Sequence, residues 1–142
     1  MDERVLVSAC LLGRACRYDG SAKPSAAVRA AVEGAETVAV CPEEAGGLGT
    51  PRPAASLVGG DGHAVLAGTA RVVDVHGVDV TASFLAGAET CALPATRAIL
   101  KARSPSCGVG QTNVHGQVCS GDGVFAALLR TRGVALTTDE DL

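Results

Sequence analysis

Three short apolar runs of this chain each end at, or a few residues before, a cysteine. Arg4–Ala9 runs into Cys10, Thr37–Val40 runs into Cys41, and Ala98–Lys101 stops shortly before Cys107. Runs of this length, rich in Val, Ile and Leu and bounded by turn residues, read as buried strands. Helical patterns lie between and after them. Ala26–Glu33 is opened by Pro24 at its first turn and closed by Gly34. A second helix is expected over about Thr81–Thr90, with Asp79 or Thr81 near its cap and Pro94 interrupting or restarting it. A third spans Gly123–Thr131 and stops at Gly133. This alternation predicts βαβ units in a single-domain α/β fold of three layers. The sheet is short and parallel, with about four strands flanked by helices, Val134–Leu136 being the last. Ligands of such sheets bind beyond the carboxyl ends of the strands. The three cysteines, distant in sequence, are therefore expected to converge at one edge of the sheet.

The other segments are less regular. Leu11–Lys23 and the Gly/Pro-rich Pro42–Pro53 read as loops, and loops of the second kind are usually functional or disordered. Gly59–Gly62 is a turn, after which His63–Leu66 and Ala70–Val73 would pair as a small hairpin. Val109–Ser120 is a loop, and the polar, acidic tail Thr137–Leu142 is expected to fray. No internal repeat and no second domain stand out, so residues 1–142 read as one domain.

A chain of 142 residues buries roughly 68–70% of its unfolded surface and folds without disulfides. With aromatics at only 2%, its core must be built from Val, Leu and Ala. A net charge of −3 and the scarcity of aromatics argue against a nucleic-acid partner. No run of about 18 apolar residues suggests a membrane span. The start, Met1-Asp2-Glu3-Arg4, is acidic and leads straight into a strand, so no signal peptide is expected. The expected location is the cytoplasm, as a monomer or homodimer. Six cysteines in a reducing compartment are not a disulfide framework; metal binding, catalysis or inert burial remain.

Cys10, Cys41 and Cys107 sit among glycines and prolines, whose loops can aim backbone N–H groups at cluster sulfides. Soft thiolates select iron–sulfur clusters, zinc or copper(I). Cys16, six residues past Cys10, is a bystander or a fourth ligand. Cys91 falls in or near a helix and reads as buried and inert. Cys119 has no proline beside it and is a weaker candidate. No Cys-x-x-Cys pair exists, which disfavours a zinc ribbon or a thioredoxin-like site. His63 and His76 read as loop residues; His115, following the Cys107 loop, is the histidine to check.

Three segments carry a resemblance: Leu6–Gly20 (LVSACLLGRACRYDG), Val40–Pro53 (VCPEEAGGLGTPRP) and Ile99–Gly108 (ILKARSPSCG). A fourth, Gly121–Leu129 (GDGVFAALL), matches a closing helix. Together they resemble the thiouracil desulfidase family, once a bacterial domain of unknown function. The resemblance implies an α/β fold with a 4Fe-4S cluster held by Cys10, Cys41 and Cys107, its fourth iron open. It implies that this iron takes the sulfur of a 2-thiouracil-like thiocarbonyl without net redox change. Glu43 matches the family's carboxylate, and Ser104 or Ser106 its polar partner. The chain departs from the family in two places. Pro53-Ala54-Ala55-Ser56 stands where the family has Pro-Pro-x-Glu, and Thr112-Asn113-Val114-His115-Gly116 where it has an Ile-Tyr-Asp-Gly-like turn. Both segments would line the substrate pocket.

Soft iron prefers a thiocarbonyl sulfur to an oxygen. Water would then replace the sulfur, with Glu43 as base. Ser104 or Ser106 would hold the ring or the water. Arg17, Asp19 and Arg52 are loop ion pairs or substrate clamps, and Tyr18 packs over the loop or faces the pocket. Two rival readings share the cysteines: a non-enzymatic iron–sulfur or sulfide carrier, which needs no pocket or base, and a zinc-binding protein.

Overall fold

A computed structural model describes residues 3–142; the acidic start at Met1-Asp2 lies outside the described residues. In chain order the elements are β1 (Arg4–Ser8), α1 (Ala26–Ala31), β2 (Glu36–Val40), α2 (Pro42–Ala45), β3 (Ala55–Val58), α3 (Gly62–Leu66) and β4 (Arg71–Asp74). They continue with α4 (Thr81–Cys91), β5 (Arg97–Leu100), β6 (Gln111–Val114), β7 (Gln117–Ser120), α5 (Val124–Thr131) and β8 (Ala135–Thr138). One sheet has the order β2-β1-β5-β8 with every pair parallel. Side chains alternate across it, as a strand's period of two requires. Val5, Val7 and Ile99 face Val28 and Val32 around α1. Leu6, Ala98 and Leu100 face Phe84 of α4 and Phe125 and Leu129 of α5. Helix, sheet and helices thus form the expected three layers. Each fully buried Val, Leu or Phe contributes about 1.5–3 kcal/mol.

This winding places the functional edge. The connection leaving β1 passes through α1 to β2 on one side, whereas the connection leaving β5 passes through α5 to β8 on the other. The carboxyl ends of β1 and β5 therefore flank a switch point, where the outgoing chains diverge and leave a crevice.

Between β2 and the edge sits α2, pressed against α4 by glycines. A Cβ on Gly87 would lie 1.7 Å from the Pro42 carbonyl oxygen, and one on Gly46 would lie 2.0 Å from that of Ser83. Backbone contacts this close tolerate no methyl group. Gly87→Ala is expected to lower stability by about 1–3 kcal/mol. The reading is a reduced urea midpoint with an unchanged slope.

Several segments differ from expectation. The hairpin partner of β4 is β3, not His63–Leu66, which is helical instead. The Asp61 carboxylate caps that helix, accepting from the N–H groups of His63 and Ala64. The loop Val109–Ser120 is itself a hairpin, β6 and β7, turning at His115 (φ 53°) and Gly116 (φ 79°). Consecutive left-handed residues match the two-residue turn that suits strand twist. β3 joins β6 in parallel, giving a second four-stranded sheet, β4-β3-β6-β7, where only a small hairpin was expected. Pro24 precedes α1 rather than opening it; Ser25 is the cap, its hydroxyl accepting from the Val28 N–H. The loop Pro42–Pro53 begins with the helical turn α2. The tail does not fray: β8 runs to Thr138, Asp139 accepts from the Ala102 N–H at 2.8 Å, and Glu140 pairs with both terminal nitrogens of Arg103.

A buried carboxylate ties the second sheet to α5. Asp122 accepts from Gly110 N–H at 2.9 Å and from Arg130 Nε at 2.7 Å, and lies 2.7 Å from His63 Nε2. Burial opposes its ionisation, yet bonds from Arg130, Gly110 and His63 hold its carboxyl down at about 2. An unfolded aspartate titrates near ~3.9. The stabilisation is thus present above about pH 4 and lost as pH falls through about 2. Arg130 is half exposed, so we discount the effect to about 1–2 kcal/mol. Asp122→Asn is expected to cost that much at neutral pH and to flatten the loss of stability between about pH 4 and pH 2. Urea titrations across that range measure both.

Candidate active site at the sheet edge

A cavity of about 360 Å³ opens at the carboxyl edge of the parallel sheet, and Cys10, Cys41 and Cys107 all line it. Ligand pockets commonly hold about 300–1,000 Å³. Each cysteine reaches the cavity by a different local device. Cys10 lies in a 3₁₀ turn, Ala9–Leu12, that follows β1 and ends at left-handed Gly13. Cys41 caps α2, where Pro42 occupies the first helical position and needs no N–H partner. Cys107 sits in the turn after β5. There the Ser104 hydroxyl accepts from the N–H groups of Ser106 (3.1 Å) and Cys107 (3.0 Å). Gly123 packs flat on that turn, because a Cβ there would lie 2.5 Å from the Ser106 carbonyl.

The thiols differ in environment. Burial pushes Cys107 up, opposed by a hydrogen bond from Ser8. Burial also raises Cys10, against the pull of Arg17 and Lys101. The neighbouring Cys16 thiol lowers Cys41, and Cys16 is raised by the same contact. Arg17, Arg52 and Lys101 ring the cavity with positive charge, which suits a site built of thiolates.

Glu43 lines the same cavity one helical position past Pro42. Its Oε1 accepts from Arg52 Nε at 3.1 Å, and its Oε2 from the Ser106 hydroxyl at 3.0 Å. The ion pair is largely buried, with side-chain exposures of 6% for Arg52 and 15% for Glu43, so its geometry is fixed rather than solvent-averaged. Arg52 also donates to Gly49 O, Thr50 Oγ1 and Cys16 O, stitching the two long loops together. That makes it a loop ion pair. The two serines separate by role in the geometry. Ser106 is 1% exposed and touches Glu43, whereas Ser104 lines the cavity while its oxygen caps the turn.

Cys16, read from sequence as a bystander or a fourth ligand, is 2% exposed and lines the cavity. Its sulfur, the Cys41 sulfur and a Glu44 oxygen lie within 4.8 Å of one another. Both Glu44 oxygens already accept bonds, from Arg14 at 2.6 Å and Thr50 at 2.5 Å. Tyr18 borders the cavity, and Asp19 instead binds Ser21. Cys91 is buried at the end of α4, and burial raises it to about 11. Cys119 lies on β7 and does not line the cavity. His115 is an exposed turn residue whose Nε2 accepts from the Gly59 N–H, away from the site. Both segments that depart from the resembled pattern reach the cavity, through Ala54 and Ala55 and through Asn113. Asn113 is a site residue that sequence reasoning did not single out.

Three cysteine sulfurs facing one cavity, with positive charge around them, are the soft donor set of an iron–sulfur site or of zinc. The model of the 2-thiouracil desulfurase family matches residues 5–141, nearly the whole chain. The chain belongs to the 2-thiouracil desulfurase family. A relative in this family, the uncharacterized protein YbbK of Bacillus subtilis (strain 168), is 42% identical over 146 residues, covering 97% of each chain. A solved structure, the 4Fe-4S-dependent thiouracil desulfidase TudS, is similar at a TM-score of 0.81 and 40% identity. It covers 99% of this chain and 93% of its own. Among the described residues, no helix of this family member is long and apolar enough to cross a membrane.

Proposed function

We propose that this chain is a 4Fe-4S-dependent desulfidase that replaces the sulfur of a thiouracil-like thiocarbonyl by oxygen. The observation that carries the reading is one cavity holding Cys10, Cys41, Cys107 and the carboxylate of Glu43. The three cysteines would hold the cluster, each from a different strand end. When bound, the cluster supplies a soft Lewis-acid iron with no protein ligand, suited to a thiocarbonyl sulfur.

The chain's own groups do the rest. Net, the thiocarbonyl and water give the carbonyl and hydrogen sulfide, with no electrons gained or lost. Glu43 takes the proton of the incoming water. Its two oxygens keep free lone pairs beyond the bonds from Arg52 and Ser106. The buried Arg52 fixes the carboxylate's orientation. Ser106 positions Glu43 from behind, and Ser104 holds the Cys107 turn while bordering the substrate space. The substrate is a small molecule, and the six free thiols suit a reducing compartment such as the cytoplasm.

The cavity with Glu43 on its wall favours an enzyme over a cluster carrier, which needs neither. A zinc reading draws on the Cys16, Cys41 and Glu44 group, and the bonds already made by Glu44 weigh against it. The deciding experiment is turnover of thiolated pyrimidines and purines by anaerobically reconstituted protein. Equimolar sulfide and oxygenated product from a thiopyrimidine is the expected result. A fully iron-loaded protein that releases no sulfide from any of them overturns the proposal.

A further inference from the structure

We infer that Asn113 is a specificity-determining residue, its side-chain oxygen accepting a hydrogen bond from a ring N–H of the thiolated substrate. The inference rests on the desulfidase reading and names the part of the substrate that the site reads. Asn113 lies on β6, paired with Val118 of β7, and both line the cavity. Its neighbour Thr112 points the opposite way along the strand, fully buried, and donates to the Ser104 carbonyl.

Among the described residues, Asn113 Oδ1 is the one buried side-chain nitrogen or oxygen without a hydrogen-bond partner. Folded proteins rarely keep such an atom unless something else satisfies it. Arg52 spends its N–H groups on Glu43, Gly49, Thr50 and Cys16, and the Ser106 hydroxyl goes to Glu43. Arg17, Tyr18 and Lys101 also border the cavity, but none of them donates to Asn113 Oδ1. The ligand that satisfies this oxygen must bring a donor. A cyclic thioamide or thiourea fits, because each ring nitrogen beside the C=S carries an N–H.

Asn113→Leu keeps the side chain's approximate size and removes both polar ends. Three substrates are compared on anaerobic holoprotein: 2-thiouracil and its 1-methyl and 3-methyl forms. In the wild type, one of the two methyl groups is expected to lower kcat/KM by about 10–100-fold. Asn113→Leu should lose a similar factor on 2-thiouracil and become indifferent to that methyl. Its melting temperature should stay level or rise, because an unpaired buried acceptor has gone. A merely structural residue would instead lower the melting temperature and slow all three substrates alike.

Calorimetric binding of uracil and its two N-methyl forms to the same proteins gives a readout without turnover. If the wild type desulfurates thiouracil and Asn113→Leu keeps the wild-type response to both methyl groups, the inference is overturned and the function stands. If uracil binding depends on Asn113 and one ring N–H while no sulfide is released, the function falls and the inference stands. A wild type that neither binds uracil nor turns over thiouracil overturns both.

Discussion

Replacing Cys10, Cys41 or Cys107 by alanine is expected to leave anaerobically purified protein colourless, while Cys91→Ala stays brown. The reason lies in the cavity. Those three sulfurs reach it from three separate strand ends, and Cys16, within 4.8 Å of Cys41, is the further thiol on its wall. Cys91 belongs to the packed interior between α4 and the sheet, where burial keeps its thiol protonated near neutral pH. The apolar interior would lose little from a cysteine-to-alanine change, so absent colour would report a lost ligand rather than a lost fold. Cys16→Ala is the informative neighbour. Its carbonyl oxygen accepts from the Cys41 thiol at 3.7 Å, a backbone contact that alanine retains, and the three-cysteine account has this variant keep its iron. Iron and acid-labile sulfide per chain, measured beside the visible spectrum, check all five variants.

Glu43→Gln is expected to keep colour and iron content while turnover falls by about 10²–10⁴-fold, the usual worth of a general base. The amide preserves the side chain's volume and one oxygen for Ser106 or Arg52, but it does not take a proton from water. It also leaves Arg52 without its anion in a place only 6% exposed to solvent. Breaking a buried ion pair costs about 3–5 kcal/mol. Here Arg52 retains bonds to Gly49, Thr50 and Cys16, so about 2–3 kcal/mol is expected. A domain with about 5–15 kcal/mol of stability survives that loss. Rate, iron content and urea midpoint together separate a missing base from a damaged loop. A variant with normal iron and undiminished turnover would remove Glu43 from the chemistry.

The parallel sheet was legible because its central strands, β1 and β5, are buried on both faces and so read as short continuous apolar runs. Arg4–Ser8 and Arg97–Leu100 fall within a residue of expectation at each end. The second sheet was not legible. Gln111–Val114 and Gln117–Ser120 are polar and half exposed, and β3 meets β6 at a single registered pair, Leu57 with Val114. Pairing of that kind is decided by distant segments and leaves no local period. Pro42 followed by two acids was a usable helix-start signal, but one turn of helix is too short for periodicity to reveal. At the site, motif residues were visible through their glycine and proline surroundings. Cys16 was legible only as a bystander or a fourth ligand, and Asn113 only as part of a pocket-lining segment, because one is carried in by a loop that Arg52 pins and the other by a strand of the unread sheet. His115 misled by lying close to Cys107 in sequence; the β6–β7 turn carries it away from the cavity.

Crystals grown without oxygen from cluster-loaded protein, with diffraction collected across the iron absorption edge, address the ligand set directly. The account predicts compact iron anomalous density in the cavity bonded to Cys10, Cys41 and Cys107, with one iron facing Glu43 and Asn113 and bound by no side chain. Iron capped by Cys16 as a fourth ligand, or a single zinc ion between Cys16, Cys41 and Glu44, would contradict it.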